Sequence, residues 1–303
     1  SELQEYCSAL SDGYYKERCF GLDWNEQLLS KKIQNLSRVI KNYDDGSGPD
    51  ILVVQEVENI HVLRQLNTIG DLGFSEVILL EGPDSRGIDV GILSKYPLQG
   101  SPILHKVDFS ELHEQGLVAK ETRGILQASF DVEGRSLTVF SNHWPSQRNI
   151  DQTRHVAAKT LKRAVAAVSD SAVVALGDFN TASSDDPHGI NLELLNPESG
   201  ISFLEVSSTV AEVPWPEGSY FYRGNWGFLD LIFFPKHMVD TPLMSVLWDT
   251  YMIGAYDFVL HDVKYENDET GEIIEYSNIP WRFDTETGQG YSDHLSIAVK
   301  VQI

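Results

Sequence analysis

Four short apolar runs in this chain of 303 residues end, or begin, on residues able to do chemistry. Ile51-Leu52-Val53-Val54 leads into Gln55-Glu56. Leu137-Thr138-Val139-Phe140-Ser141 leads into Asn142-His143-Trp144. Val173-Val174-Ala175-Leu176-Gly177 leads into Asp178-Phe179-Asn180, and Asp293-His294 stands immediately ahead of Leu295-Ser296-Ile297-Ala298-Val299. A strand end is a rigid place to build a site, because its last residue leaves the core on a fixed backbone. One acid after a strand is ordinarily just a solvated end. Four such ends presenting Glu, His, Asp/Asn and Asp/His form a pattern. Carboxylates without thiolate partners suit a hard, oxygen-seeking cation such as Mg2+, Mn2+ or Ca2+. Two histidines close to carboxylates suit proton transfer near neutral pH.

Helices and strands must hold these ends in place. Asp23 to Tyr43 reads as a helix, with Leu28, Leu29, Ile33, Leu36, Val39 and Ile40 at helical spacing and Asp23 as the expected N-cap. Gly46-Ser47-Gly48-Pro49 stops it. The run from Ile51 to Val54 reads as a strand buried on both faces. A second helix is expected over Asn59–Ile69, then strands near Glu76–Leu80 and Ile88–Leu93. Ile125–Val132 and Leu137–Ser141 flank Glu133-Gly134 as a hairpin. Gln152–Val168 reads as an Ala-rich helix and Ala172–Leu176 as another buried strand. Further strands are expected at Tyr220–Tyr222, Phe228–Phe234, Phe258–Tyr265 and Leu295–Val301. Glu272–Tyr276 would pair with the Phe258 strand through a turn near Glu269-Thr270-Gly271. Adjacent hairpins rule out a single doubly wound sheet and favour two mixed sheets packed together with helices outside. The whole chain, 1–303, reads as a single domain.

The net charge is −22. Such a surface repels a polyphosphate and argues against a tight nucleic-acid binder, but not against an enzyme that holds phosphate transiently through a metal. No apolar run approaches the roughly 20 residues that span a bilayer. No leader is visible at Ser1, so one is expected to be absent or removed. Cys7 and Cys19, alone in the chain, lie in a loop-like segment, 1–22. They read as a single disulfide in an exported protein, against the alternative of two unpaired thiols.

Gln55-Glu56-Val57-Glu58-Asn59, Asn142-His143-Trp144, Gly177-Asp178-Phe179-Asn180 and Ser292-Asp293-His294 together, in this order, resemble the signature blocks of the endonuclease/exonuclease/phosphatase superfamily. Arg86 to Ser94, Asn142 to Gln147 and Arg282-Phe283-Asp284 look like its exported bacterial branch. The resemblance runs from about Asp23 to the C-terminus. It implies an α/β fold, the four-layer α/β/β/α sandwich of DNase I-like proteins. It implies metal ligation by Glu56 and Asp293, and His143 and His294 as the catalytic histidines. Asp89 would orient His143, Asp178 would orient or deprotonate the attacking water, and Asp230 would be the buried acid near His294. Asn180 would hold a phosphate oxygen or the metal shell, Asn142 would belong to the substrate side, and Arg123 would either face the substrate or form a surface salt bridge. The family normally opens with a strand carrying an Asn at the site, and here the first helix is reached without an apolar strand.

The expected activity is metal-dependent hydrolysis of a phosphodiester. Mg2+ is the first choice of metal, and DNA or RNA the transient substrate of a monomeric, secreted or periplasmic nuclease. The same residues would also serve a phosphatase or a phospholipase C-type enzyme. Trp215-Pro216 and Leu247–Ala255 are the only candidates for a lipid-seeking loop. A non-catalytic binding module on the same fold is the third reading. Tyr220, Tyr222 and Trp226 would either stack on a base or sugar or belong to the core.

Overall fold

A computed structural model describes residues 7–8, 16, 24–181, 200–266 and 272–303. Helix α1 (Glu26–Lys41) is capped by Asn25, whose side chain accepts from the backbone N–H groups of Gln27 and Leu28. Asp23, the expected cap, lies outside the described residues, as does the turn expected at Glu269-Thr270-Gly271. The second helix, α2 (Ile60–Ile69), is capped by Asn59 through Val62 N–H. Beside them lies a three-stranded antiparallel sheet of β1 (Ile51–Val57), β2 (Glu76–Leu79) and β3 (Asp89–Ser94), in the order β1-β3-β2.

Alternation along these strands builds two cores. Leu52, Val54, Val77, Leu79 and Leu93 face outward and pack with Ile33, Ile40, Leu63 and Leu66 of the two helices. Ile51, Val53, Ile78, Val90 and Ile92 face the other way, into the main core. The second sheet consists of β4 (Leu98–His105), β5 (Ile125–Val132), β6 (Arg135–His143), β7 (Ala172–Asp178), β8 (Phe203–Glu205) and β11 (Asp230–Pro235), ordered β4-β5-β6-β7-β11-β8. It is mixed: β6 and β7 run parallel and the other pairs antiparallel. The crossover between β6 and β7 is α3 (Asp151–Ala166), whose Ala157, Ala158, Leu161, Ala164 and Val165 are buried. Residues Leu137 to His143 of β6 are buried without interruption, as expected for a strand covered on both faces. Helices, sheet, sheet and helix make the four expected layers.

The β5–β6 turn is the anticipated one: Glu133 and Gly134 both have positive φ, 53° and 88°, the signature of a two-residue hairpin turn. Three further pairs complete the fold: β9 (Tyr220–Tyr222) with β10 (Asn225–Gly227), β12 (Ser245–Ile253) with β15 (Ile297–Gln302), and β13 (Leu260–Glu266) with β14 (Ile273–Pro280). Four strands were not among those expected: β4, β8, β10 and β12. In β4 alternation is broken by Gly100 and Pro102, and its pairing is irregular between Gln99 and Ile103. Residues 247–253, weighed as an exposed tip, instead form most of β12, with Tyr251 and Ile253 buried. Among the described residues no strand precedes α1, and β1 and β15 each pair on one side only.

One glycine decides how the site ends of β6 and β7 meet. Gly177 lies opposite Asn142 in the register, so His143 falls opposite Asp178. Its φ is +136°, and a Cβ there would stand 2.0 Å from the Asn142 carbonyl oxygen. Gly177→Ala is therefore expected to cost roughly 3 kcal/mol in urea unfolding. Gly227→Ala, where an added methyl meets nothing within 4 Å, is expected to leave the midpoint in place. Equal midpoints for the two would refute this account of the strand contact.

Candidate active site

Neighbouring strands set three chemical groups in a row. His143 ends β6, Asp178 ends β7 opposite it, and Asp230 starts β11 opposite Asp178. His143 Nε2 lies 3.4 Å from Asp178 Oδ2. His294 completes the row, its Nδ1 2.7 Å from Asp230 Oδ2. The Ser219 hydroxyl donates to that same oxygen at 2.7 Å, and Leu295 N–H donates to Ser219 carbonyl. Asn180, in the left-handed region at φ 51°, donates its backbone N–H and its amide to the two oxygens of Asp178, at 2.8 and 3.1 Å.

The electrostatics of the two histidines are opposite. Burial, helped by the Arg123 and Arg86 guanidiniums, drives His143 well below the usual imidazole value, so it is neutral at pH 7. Burial also opposes charge on His294, but contact with Asp230 and the fields of Asp178 and Asp293 outweigh it and raise His294 to about 10. Asp178 is pushed up to about 7, first by burial and then by Asp230 beside it, with His294 pulling the other way.

The carboxylates expected to bind metal sit on a second side. Between Val54 and Val57, β1 takes three steps while β3 takes two, a bulge that carries Glu56 at φ 57° and leaves it exposed. Asp293 pairs with Arg282 at 3.6 Å. The Lys32 ammonium of α1 is lowered mainly by burial, against the opposing fields of Glu56 and then Asp293. Among the described residues no group of three His, Cys, Asp or Glu is arranged to hold a metal by itself. Two hard carboxylates still fit a cation whose shell is completed by water and substrate phosphate.

Three expectations need correction. Asp89 does not bond to His143: its carboxylate accepts Gly82 N–H at 2.8 Å, closing the β2–β3 loop, and His143 Nδ1 has no partner. Arg123 is neither on the surface nor open to substrate; it is buried, reaching Asp84 at 3.2 Å and Trp144 carbonyl at 3.0 Å. Asn142 is fully buried and spends its amide on Phe140 and Leu176 carbonyls and on the Trp144 indole N–H. Arg123 and Asn142 therefore position the Trp144 loop. Asp84, which also takes both guanidinium contacts of Arg86, Ser219 and Lys32 were missed. Asp84 meets Arg123 39 residues away in the chain, and neither Ser219 nor Lys32 belongs to a recognisable run, so no local pattern marks their part in the site.

The His294–Asp230 pair sets a pH signature. Because His294 rises from 6.5 to about 10, the pair's stabilisation is full below 6.5 and is lost as pH rises through about 10. Asp230→Asn is expected to drop the His294 titration, followed by NMR of the imidazole, towards 6.5, and to destabilise by about 3 kcal/mol. An unchanged titration would exclude Asp230 as the source of the shift.

A search of curated proteins matches none. Solved structures resemble the chain over nearly all of its length. An endonuclease/exonuclease/phosphatase from Bacteroides vulgatus is 16% identical, with 92% of each chain covered and a TM-score of 0.60. A mannosyl-6-phosphatase from Bacteroides thetaiotaomicron is 12% identical, covering 91% of this chain and 92% of its own, TM-score 0.59. D. rerio TDP2, complexed with a single-strand DNA product, is 16% identical, covering 91% and 93%, TM-score 0.57. At such identities these likenesses show the fold. The sequence also matches the model of the Endonuclease/Exonuclease/phosphatase family over residues 17–303. With nearly its whole length matched, the chain belongs to the endonuclease/exonuclease/phosphatase family and is a phosphoric ester hydrolase.

Proposed function

We propose that the enzyme is a metal-dependent phosphodiesterase that acts as a nuclease on DNA or RNA. The observation that carries this reading is the row His143, Asp178, Asp230 and His294, in which the strand register sets one histidine against each of the two paired acids. His294, held as an imidazolium by Asp230, binds the scissile phosphate, supplies positive charge to it and gives its proton to the leaving oxygen as the P–O bond breaks. Asp178, near neutrality in pKa, takes the proton of the attacking water. Neutral His143 borders Asp178, and Asn180 fixes the orientation of that carboxylate. Glu56 and Asp293 hold a divalent cation, Mg2+ before Mn2+ or Ca2+, which when bound offsets phosphate charge.

The same proposal includes export to the periplasm or medium, a Cys7–Cys19 disulfide, a monomeric state and transient contact with nucleic acid as the only macromolecular partner. Cys7 is buried, no cysteine is free among the described residues, and Cys19 lies outside them. No helix among the described residues is long and apolar enough to cross a membrane. A phosphatase or phospholipase C-type activity on a smaller ester is the second reading, favoured by the net charge of −22, which repels long polyanions. Tyr251 and Ile253 of β12 are buried, which argues against one of the two segments considered for lipid contact.

The test is hydrolysis of plasmid DNA, RNA and bis(p-nitrophenyl) phosphate with Mg2+ or chelator, for the wild type and Asp178→Asn. Nucleic acid cleavage that needs the metal and falls about a thousandfold in the variant is expected. The rate should rise with pH as Asp178 ionises near 7 and fall as His294 loses its proton near 10. Cleavage of the small diester alone would transfer the assignment to the second reading, and no cleavage of any of the three nor of the monoester p-nitrophenyl phosphate would sink both.

A further inference from the structure

The β9–β10 hairpin has two unlike faces. Phe221 and Trp226 are directly paired across the strands and anchor one face: Phe221 meets Tyr276 of β14 edge-on at 5.1 Å, and Trp226 meets Trp215 at 6.3 Å. The opposite face carries Tyr220 and Tyr222. Their rings are parallel within 13°, with centroids 6.2 Å apart. Tyr220 also lies against the His294 imidazole at 4.6 Å and bridges to His294 through the backbone. The row His294, Tyr220, Tyr222 thus runs from the reacting centre to solvent, and Tyr222 at its outer end is 55% exposed.

Two details leave this face open and fixed. The residue opposite Tyr220 is Gly227, where an added Cβ would meet nothing within 4 Å; a cross-strand side chain that would ordinarily cover the tyrosine is missing. The turn residues Arg223 and Gly224 both have positive φ, 48° and 86°, so the tip is a tight two-residue turn. It holds the Arg223 guanidinium 5.2 Å from the Tyr222 ring centroid, a cation on an acidic protein.

We propose that Tyr220, Tyr222 and the open space over Gly227 form a stacking shelf for a nucleobase attached on the His294 side of the scissile phosphate, with Arg223 meeting the next phosphate along the strand. The inference rests on the nuclease reading and narrows it to single-stranded substrate, since a base within a duplex does not offer its face. A flat ring bearing a distal anion matches an aromatic shelf ending in a guanidinium. Tyr220, pinned between His294 and Tyr222, positions the imidazole, and Tyr222 contacts the base.

The test compares kcat/KM for a short oligothymidylate and for an oligomer of equal length built from abasic tetrahydrofuran units, which differ only in the rings. The wild type is expected to prefer the base-bearing oligomer by about tenfold or more, chiefly through KM. Tyr222→Ala and Gly227→Leu, which remove the ring and fill the space, are expected to abolish most of that preference. Tyr222→Trp is expected to keep it, and circular dichroism checks that each variant is folded. Equal preference in the wild type and Tyr222→Ala, or no preference in the wild type, would overturn the shelf while leaving the nuclease reading intact. Failure of the wild type to cut either oligomer would overturn the shelf, and its action on plasmid DNA and RNA decides the nuclease reading separately.

Discussion

Two carboxylates, Asp178 and Asp230, stand opposite each other on adjacent strands at the end of a buried sheet. Both cannot be ionised in such a place without a compensating cation. The fold answers with His294, whose Nδ1 meets Asp230. Its positive charge stabilises one acid and moderates the other, leaving Asp178 close to neutrality in pKa. Much of the nearby polar structure serves this arrangement. Ser219 and Leu295 fix the oxygen and the chain around His294, and Asn180 fixes both oxygens of Asp178.

Glu56 is exposed and Asp293 half-exposed, as suits acids that meet a cation, and His294 has an aromatic row behind it. The buried guanidinium of Arg123 works at one remove. With Asp84 and the Trp144 carbonyl as partners, it holds the loop after His143 and adds to the field that keeps His143 neutral.

Much of this was legible in the sequence, for physical reasons. Apolar runs ending in Glu, His and Asp marked the strand ends, and period-two alternation matches the two faces of the first sheet. The Asp230–His294 pairing followed only from the family resemblance, since 64 residues separate the two. The partner of His143 was misassigned because strand position says which residues are neighbours but not where a carboxylate turns. Asp89 is buried as expected, yet it satisfies Gly82. Asn142 looked polar and therefore available, whereas burial forces each of its atoms to find a local partner. β4 was missed because an edge strand broken by Gly and Pro has no alternation to read.

The bulge at Glu56 has a consequence for insertions and deletions. Ahead of it, odd and even residues of β1 are assigned to different cores, Ile51 and Val53 to one, Leu52 and Val54 to the other. The extra residue breaks that parity at the point where the acid must leave the sheet, at a backbone cost of about 1–3 kcal/mol. Glu56 thus owes its direction to a count of residues as well as to its identity. Removing one residue between Val54 and Val57 would restore a regular ladder and turn the carboxylate away, even with the glutamate retained. Reading frame along this strand is accordingly as much a part of the site as the side chain it delivers.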